Sequence, residues 1–149
     1  GIYLLDNQTE FEGVKFYGSP FTPQFYDWAF MRERGDEMAL VWDKIPQKTD
    51  ILITHGPPFG TLDFVPASST YAGCEALLAR VEEIRPAVHL FGHIHEGYGS
   101  KEHVWNDGRT TLFVNASSCN MRYEAVNPPV VIDLKQDGVR LRAEVVEVS

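Results

Sequence analysis

Cysteine is scarce in this chain, with only Cys74 and Cys119 among 149 residues. Neither has a CxxC partner, so they cannot form a disulfide framework, and we expect both to be reduced and buried. Long apolar runs are also missing, because none approaches the ~20 residues that span a bilayer and no signal-peptide pattern opens the sequence. These absences predict a cytoplasmic protein with no membrane partner.

Positive charge is also in deficit, since 13 Lys and Arg face 21 Asp and Glu, giving a net charge of -8. Such a balance argues against binding to a nucleic-acid backbone, which requires clustered cations. A small phosphate ester is still possible as a ligand, because a bound metal ion can reverse the local charge. The sequence has no internal repeat or linker, so we expect residues 1–149 to form a single unit.

The apolar pattern predicts an α/β chain that ends in antiparallel strands. One helix follows Gly35-Asp36, where Met38, Val41, Trp42 and Ile45 recur with helical spacing, and another covers residues 72–84. The predicted strands are 2–5, 11–17, 50–54, 87–91, 102–105, 110–115, 130–134 and 139–146. An aromatic-rich loop after Pro20 is expected to serve packing, and its members are Phe21, Phe25, Tyr26, Trp28 and Phe30.

Histidines follow both of the strands that are predicted to be buried. His55 comes directly after strand 50–54, and His93 and His95 come after strand 87–91. The helix between these strands has the length of a crossover, so the strands should be parallel and their carboxyl ends should meet at one edge. A lone histidine there is more often simply hydrogen-bonded, but three of them favour a metal site. His89, inside the second strand, is interpreted as structural, and His103 as solvated.

Two segments carry a resemblance to a known family. Residues 54–58 (THGPP) and 91–99 (FGHIHEGYG) resemble the last two motifs of the calcineurin-like metallophosphoesterase superfamily, especially its small metallophosphoesterase-domain-containing group. Residues 18–23, 114–119 and 127–129 resemble that group too. The resemblance implies the C-terminal half of a four-layer αββα sandwich with a mixed sheet. It also implies hydrolysis of a phosphodiester or phosphomonoester that is nucleotide-like or otherwise small.

The resemblance assigns roles to the histidines. It implies that His55 and His93 bind the second metal ion of a dinuclear centre and that His95 binds the first, the ions being Mn, Fe or Zn. Some animal members of the group have Gly at the position of His93, so the histidine here favours a metal-competent lineage. No residue is assigned to substrate binding.

The remaining motifs of the family are absent from the sequence. It has no DxH and no GNH, and Gly35-Asp36 is interpreted as a helix N-cap. We therefore expect no catalytic residue on this chain, at most one bound ion and negligible turnover by the chain alone. The N-terminal half of the same domain, or a second copy of the chain, should cover an open sheet face. The alternatives are a non-catalytic binding or scaffold module and an independent mononuclear three-histidine hydrolase.

Overall fold

The strands and helices of the computed structural model are described for residues 1–138 and 140–146. The strands are β1 (Asn7–Phe11), β2 (Val14–Ser19), β3 (Thr22–Pro23), β4 (Met31–Arg32), β5 (Ile51–Thr54), β6 (Phe64–Val65), β7 (Thr70–Tyr71), β8 (Val88–Phe91), β9 (Gly99–Val104), β10 (Thr110–Asn115), β11 (Val131–Asp137) and β12 (Arg140–Val146). The helices are α1 (Asp36–Trp42) and α2 (Glu75–Ile84), and a 3-10 turn covers His95–Gly97.

A six-stranded sheet with the order β1-β2-β5-β8-β10-β9 forms the centre of the fold. The four inner strands are parallel, and the two edge strands pair with them antiparallel. The predicted crossover is confirmed, because α2 connects the parallel neighbours β5 and β8. All four inner strands therefore end at the same edge of the sheet, which is where α/β proteins bind ligands.

Both helices pack together on one face of this sheet. Trp42 from α1 and Val81 from α2 are buried against sheet side chains that include Leu52 and Phe113. The helical spacing read from the sequence is thus confirmed as a buried stripe, and each such side chain stabilises the fold by about 1.5–3 kcal/mol. In the described part of the chain, no helix has the length and apolar character needed to cross a bilayer.

The first strand lies elsewhere than the sequence predicted. Residues 2–5 are not a strand, and Ile2 is 72% exposed. The polar segment Asn7–Phe11 forms β1 instead and pairs with β2 across the two-residue turn Glu12-Gly13. Both turn residues have positive φ, 50° and 79°, the conformation that a tight antiparallel hairpin requires. The turn geometry therefore outweighed the apolar composition of residues 2–5.

Helix α2 begins three residues later than predicted, at Glu75. The guanidinium group of Arg34 donates to the carbonyl oxygens of Ala72 and Gly73, and Cys74 has an extended backbone. These long-range hydrogen bonds hold the segment outside the helix. Helix α1 begins at the predicted place, with Gly35 as its N-cap and Asp36 in the first turn.

The C-terminal strands are antiparallel, as expected. β11 and β12 form a separate two-stranded sheet, and β12 contacts β10. The predicted start of the last strand, Val139, lies outside the described residues. A mixed α/β fold is confirmed, whereas the four-layer arrangement stays a prediction. Cys74 is buried as predicted, but Cys119 is only half-buried, and both are free thiols.

Candidate functional site

Strands β5 and β8 end side by side, and the histidines that follow them are in direct contact. Nε2 of His55 lies 3.0 Å from Nδ1 of His93, and their ring centroids are 4.6 Å apart. The backbone N–H of Gly92 also donates to the carbonyl oxygen of His55 over 3.0 Å. The parallel register, in which Ile53 pairs with Leu90, brings the two strand ends level. This register places His55 and His93, which are distant in the sequence, next to each other.

The backbone at His93 has an unusual conformation, with φ at 68°. A non-glycine residue in this left-handed region carries a cost of about 1–3 kcal/mol, and such residues cluster at functional sites. The turn is stabilised by a hydrogen bond from the N–H of Ile94 to the carbonyl oxygen of Gly92 over 2.8 Å. It directs the His93 ring towards His55 instead of along the strand.

His95 occupies the next position of the same cavity without touching the pair. Its Nδ1 lies 2.9 Å from the carbonyl oxygen of Asn120. Because a carbonyl oxygen only accepts, Nδ1 carries a hydrogen, and in the neutral tautomer the lone pair is on Nε2. His55, His93 and His95 line one cavity of about 1130 Å³ at the carboxyl edge of the sheet. The three predicted residues therefore share a cavity, and two of them are in contact.

Burial favours the neutral form of both contacting histidines. It lowers the pKa of His55 below 6.5. Burial, followed by the positive charges that His55 and His95 can carry, lowers the pKa of His93 to about 4. Neutral imidazoles offer lone pairs, which is the form that binds metal ions and that abstracts protons.

Asn115, at the end of β10, stabilises the turn that carries His93 and His95. Its buried side chain donates to the carbonyl oxygens of Ile94 (2.8 Å) and Leu62 (3.1 Å), and it accepts from the N–H and hydroxyl of Ser117. Sequence reasoning assigned no role to this residue. The signal was available, because β10 is a third parallel strand that ends in a polar side chain at the same edge.

Gly97 allows another segment to approach the same turn. A Cβ atom at this position would lie 1.8 Å from the carbonyl oxygen of Leu62, so only glycine fits without displacement. Its position in the sequence gave no indication of this contact, which joins residues 35 positions apart.

His89 lies under the site and is structural, as predicted. It is fully buried, and its Nε2 is 2.9 Å from Oγ1 of Thr54. The Thr54 hydroxyl donates its hydrogen to the carbonyl oxygen of Gly56, so it accepts from Nε2 of His89. The hydrogen bond between Thr54 and Gly56 joins the two residues on either side of His55. Burial lowers the pKa of His89 to about 3. His103 is exposed beside Trp105, which also agrees with the prediction.

The packing interpretation of the aromatic-rich loop is wrong for its central members. Phe25, Tyr26 and Trp28 are 52%, 73% and 53% exposed, and they stack on one another with centroid distances of 4.4–6.1 Å. Trp28 lies edge-on to His93 at 6.5 Å. Only Phe21 packs against the core cluster, half-buried. The loop thus borders the histidine cavity.

The His55–His93 pair fits two neighbouring ligands of one metal ion. Nitrogens about 2.1 Å from an ion and at a right angle to each other lie about 3.0 Å apart, and the two imidazole nitrogens are separated by 3.0 Å. Among residues 1–138 and 140–146, no group of three His, Cys, Asp or Glu side chains is arranged to hold an ion. The pair is therefore a partial ligand set, and His95 stands apart from it.

Comparisons with known proteins agree with the motifs. The human and mouse proteins named "Metallophosphoesterase domain-containing protein 1" are each 51% identical over 134 residues, which is 89% of this chain and 40% of theirs. A UPF0046 protein of Caenorhabditis elegans is 41% identical over 89% of this chain and 32% of its own length. The chain thus spans about 40% or less of these relatives. No family profile matches it. One solved structure aligns with a TM-score of 0.53 and 19% identity, covering 76% of this chain and 45% of that one, which supports the fold alone.

Proposed function

We propose, from the premise that this chain is a relative of the metallophosphoesterase domain-containing proteins, that it supplies the histidine part of a metal-dependent phosphoesterase centre. The observation that carries this proposal is the pair of His55 and His93 nitrogens, 3.0 Å apart at the carboxyl edge of parallel strands. The substrate is a phosphodiester or phosphomonoester, nucleotide-like or otherwise small. The chain acts in the cytoplasm, where the free thiols of Cys74 and Cys119 fit a reducing environment.

The three histidines would be divided between two ion positions in the completed centre. Once the missing ligands are supplied, His55 and His93 would hold one ion through Nε2 and Nδ1, and His95 would contribute Nε2 to a second. Imidazole ligands suit transition metals, so the ions are Mn, Fe or Zn. Bound ions of this kind activate water and neutralise phosphoryl charge. The Asn120 carbonyl oxygen fixes the tautomer of His95, as hydrogen-bond acceptors behind ligand histidines do at metal sites.

The ligands on this chain suffice for at most one ion. Two divalent ions about 3.5 Å apart repel by roughly 19 kcal/mol at an effective dielectric constant of 20, and neutral imidazoles do not offset this. The sequence has no DxH or GNH motif that could supply a bridging carboxylate or a catalytic histidine. The partner that completes the centre is therefore the N-terminal half of the same domain. A second copy of this chain would lack the same motifs and could only cover the open sheet face.

Calorimetric titration with Mn²⁺ tests the ligand assignment. We expect at most one ion on the isolated chain, loss of binding in His93→Ala, and unchanged binding in the control His103→Ala, whose ring is exposed on β9. Hydrolysis of bis(4-nitrophenyl) phosphate should appear only when the N-terminal half of a relative is supplied. Two tightly held ions on the isolated chain, or equal binding by His93→Ala, would refute the assignment.

A non-catalytic binding module is the alternative. It is favoured by one observation: the described residues contain no preassembled group of three ligands. Under this alternative, the complemented protein still binds Mn²⁺ but leaves the chromogenic diester intact. Turnover by the complemented protein that His55→Ala abolishes would exclude it.

A further inference from the structure

Exposed aromatic side chains border the histidine cavity on two sides. On one side, Phe25 and Trp28 line the cavity, and the rings of Trp28 and His93 are nearly perpendicular with centroids 6.5 Å apart. On the other side, Tyr123 lines the cavity and lies edge-on to His95 at 5.3 Å, although it is 77% exposed. The aromatic rim, defined here as Phe25, Trp28 and Tyr123, therefore touches both ends of the histidine site.

The loop that carries Phe25 and Trp28 is anchored at its base. Backbone N–H groups of Thr22 and Gln24 donate to the carbonyl oxygens of Phe30 and Arg32, over 3.1 and 2.8 Å. Within the loop, Tyr26 and the anchor residue Phe30 have φ values of 56° and 58°, in the left-handed region. Bulky residues in this region carry strain of about 1–3 kcal/mol, and such strain is concentrated at ligand sites. The loop thus holds its aromatic side chains out of the core.

The size and lining of the cavity indicate what it accepts. Its volume of about 1130 Å³ exceeds what a phosphate group fills and lies just above the range of roughly 300–1,000 Å³ that is usual for organic ligands. Aromatic side chains clustered next to the site histidines favour a ligand with a flat, polarisable ring. Stacking of such a ring on an aromatic side chain adds binding free energy beyond that of apolar burial. An aliphatic substituent would gain only the binding free energy of apolar burial.

We propose that Trp28, with Phe25 and Tyr123 at the same rim, determines specificity by stacking on a planar aromatic group of the phosphate ester. This inference rests on the proposed phosphoesterase function, since the histidine site is what holds the phosphate. The aromatic group is an aryl ring or a nucleobase. Trp28 is a specificity residue and takes no part in the bond-breaking step.

Calorimetric binding to this chain complemented by the N-terminal half of a relative, in the presence of Mn²⁺, tests this inference. The probes are inorganic phosphate, phenyl phosphate and cyclohexyl phosphate, the last two matched in ring size, with adenosine 5′-monophosphate to separate nucleobase from aryl preference. We expect phenyl phosphate to bind about five- to a hundredfold tighter than cyclohexyl phosphate. Trp28→Leu should reduce this ratio to about twofold, and Trp28→Phe should keep most of it.

Phe11→Leu is the matched control, because Phe11 is an exposed aromatic residue on β1 that does not line the cavity. It should leave the ratio unchanged, and every variant should bind inorganic phosphate equally. If phosphate binds but the phenyl preference is absent or survives Trp28→Leu, the inference is overturned and the proposed function stands. If inorganic phosphate does not bind, the proposed function fails and the inference fails with it. A dimer that Trp28→Leu dissociates, seen by light scattering, would assign the rim to self-association and also overturn the inference.

Discussion

Acid should destabilise this fold through His89, the buried histidine beneath the site. Its side chain is 0% exposed, and burial lowers its pKa from 6.5 to about 3. The folded state therefore holds the ring neutral, whereas the unfolded chain binds a proton below about pH 6.5. The stabilisation that comes from holding the His89 ring neutral is fully present above about pH 6.5. It is lost as the pH falls, by about 1.4 kcal/mol per unit, down to the folded-state pKa of about 3.

The magnitude follows from these two pKa values. Between pH 7.5 and 4.5, His89 should remove about 2.5 kcal/mol from the free energy of unfolding. A His89→Gln variant keeps an N–H donor for Thr54, 2.9 Å from Nε2 in the native chain, but does not titrate. Its altered packing adds a constant offset at every pH. The gap in unfolding free energy between the native chain and the variant should therefore shrink by about 2.5 kcal/mol as the pH is lowered.

Urea denaturation followed by far-UV circular dichroism at pH 7.5, 6.5, 5.5 and 4.5 measures this gap. His103→Gln is the control, because His103 is exposed on β9, and its gap to the native chain should not change with pH. A gap for His89→Gln that stays constant from pH 7.5 to 4.5 would refute the reasoning. It would mean that the buried ring accepts a proton as readily as the unfolded chain does.

Three further predictions concern the site itself. Gly97→Ala should lower the free energy of unfolding by about 1–3 kcal/mol, because its Cβ would meet the Leu62 carbonyl oxygen at 1.8 Å. In Gly92→Ala the nearest atom is 3.4 Å away, so thermal denaturation should show a much smaller loss, and equal losses would contradict the close contact. The free energy of unfolding of His93→Gly should exceed that of His93→Ala by about 1 kcal/mol, because φ is 68° at this residue. Equal values in chemical denaturation would disprove backbone strain there. Mn²⁺ affinity should fall between pH 7.5 and 5.5 by much less than the roughly hundredfold that two imidazoles of pKa ~6.5 would lose, because burial lowers the pKa of His55 and holds that of His93 at about 4. A loss of about a hundredfold measured by titration calorimetry would contradict those shifts.

Local patterns in the sequence determined the elements that carry the site. The apolar segments of β5 and β8 and the helical spacing in α2 are properties of neighbouring residues, so they could be predicted without the fold. The position of His55, His93 and His95 at strand ends followed directly, as did the structural role of His89. The resemblance to metallophosphoesterases used the same short segments, and the comparisons agree with it.

Tertiary structure alone decided how these parts meet. The 3.0 Å contact between His55 and His93 depends on the register of β5 against β8, and the role of Gly97 depends on a loop 35 residues away. The exposure of Trp28 followed from a loop whose backbone hydrogen bonds hold it off the core, although its composition favoured burial. These features depend on contacts between segments that are distant in the sequence. No short window of sequence contains both partners of such a contact.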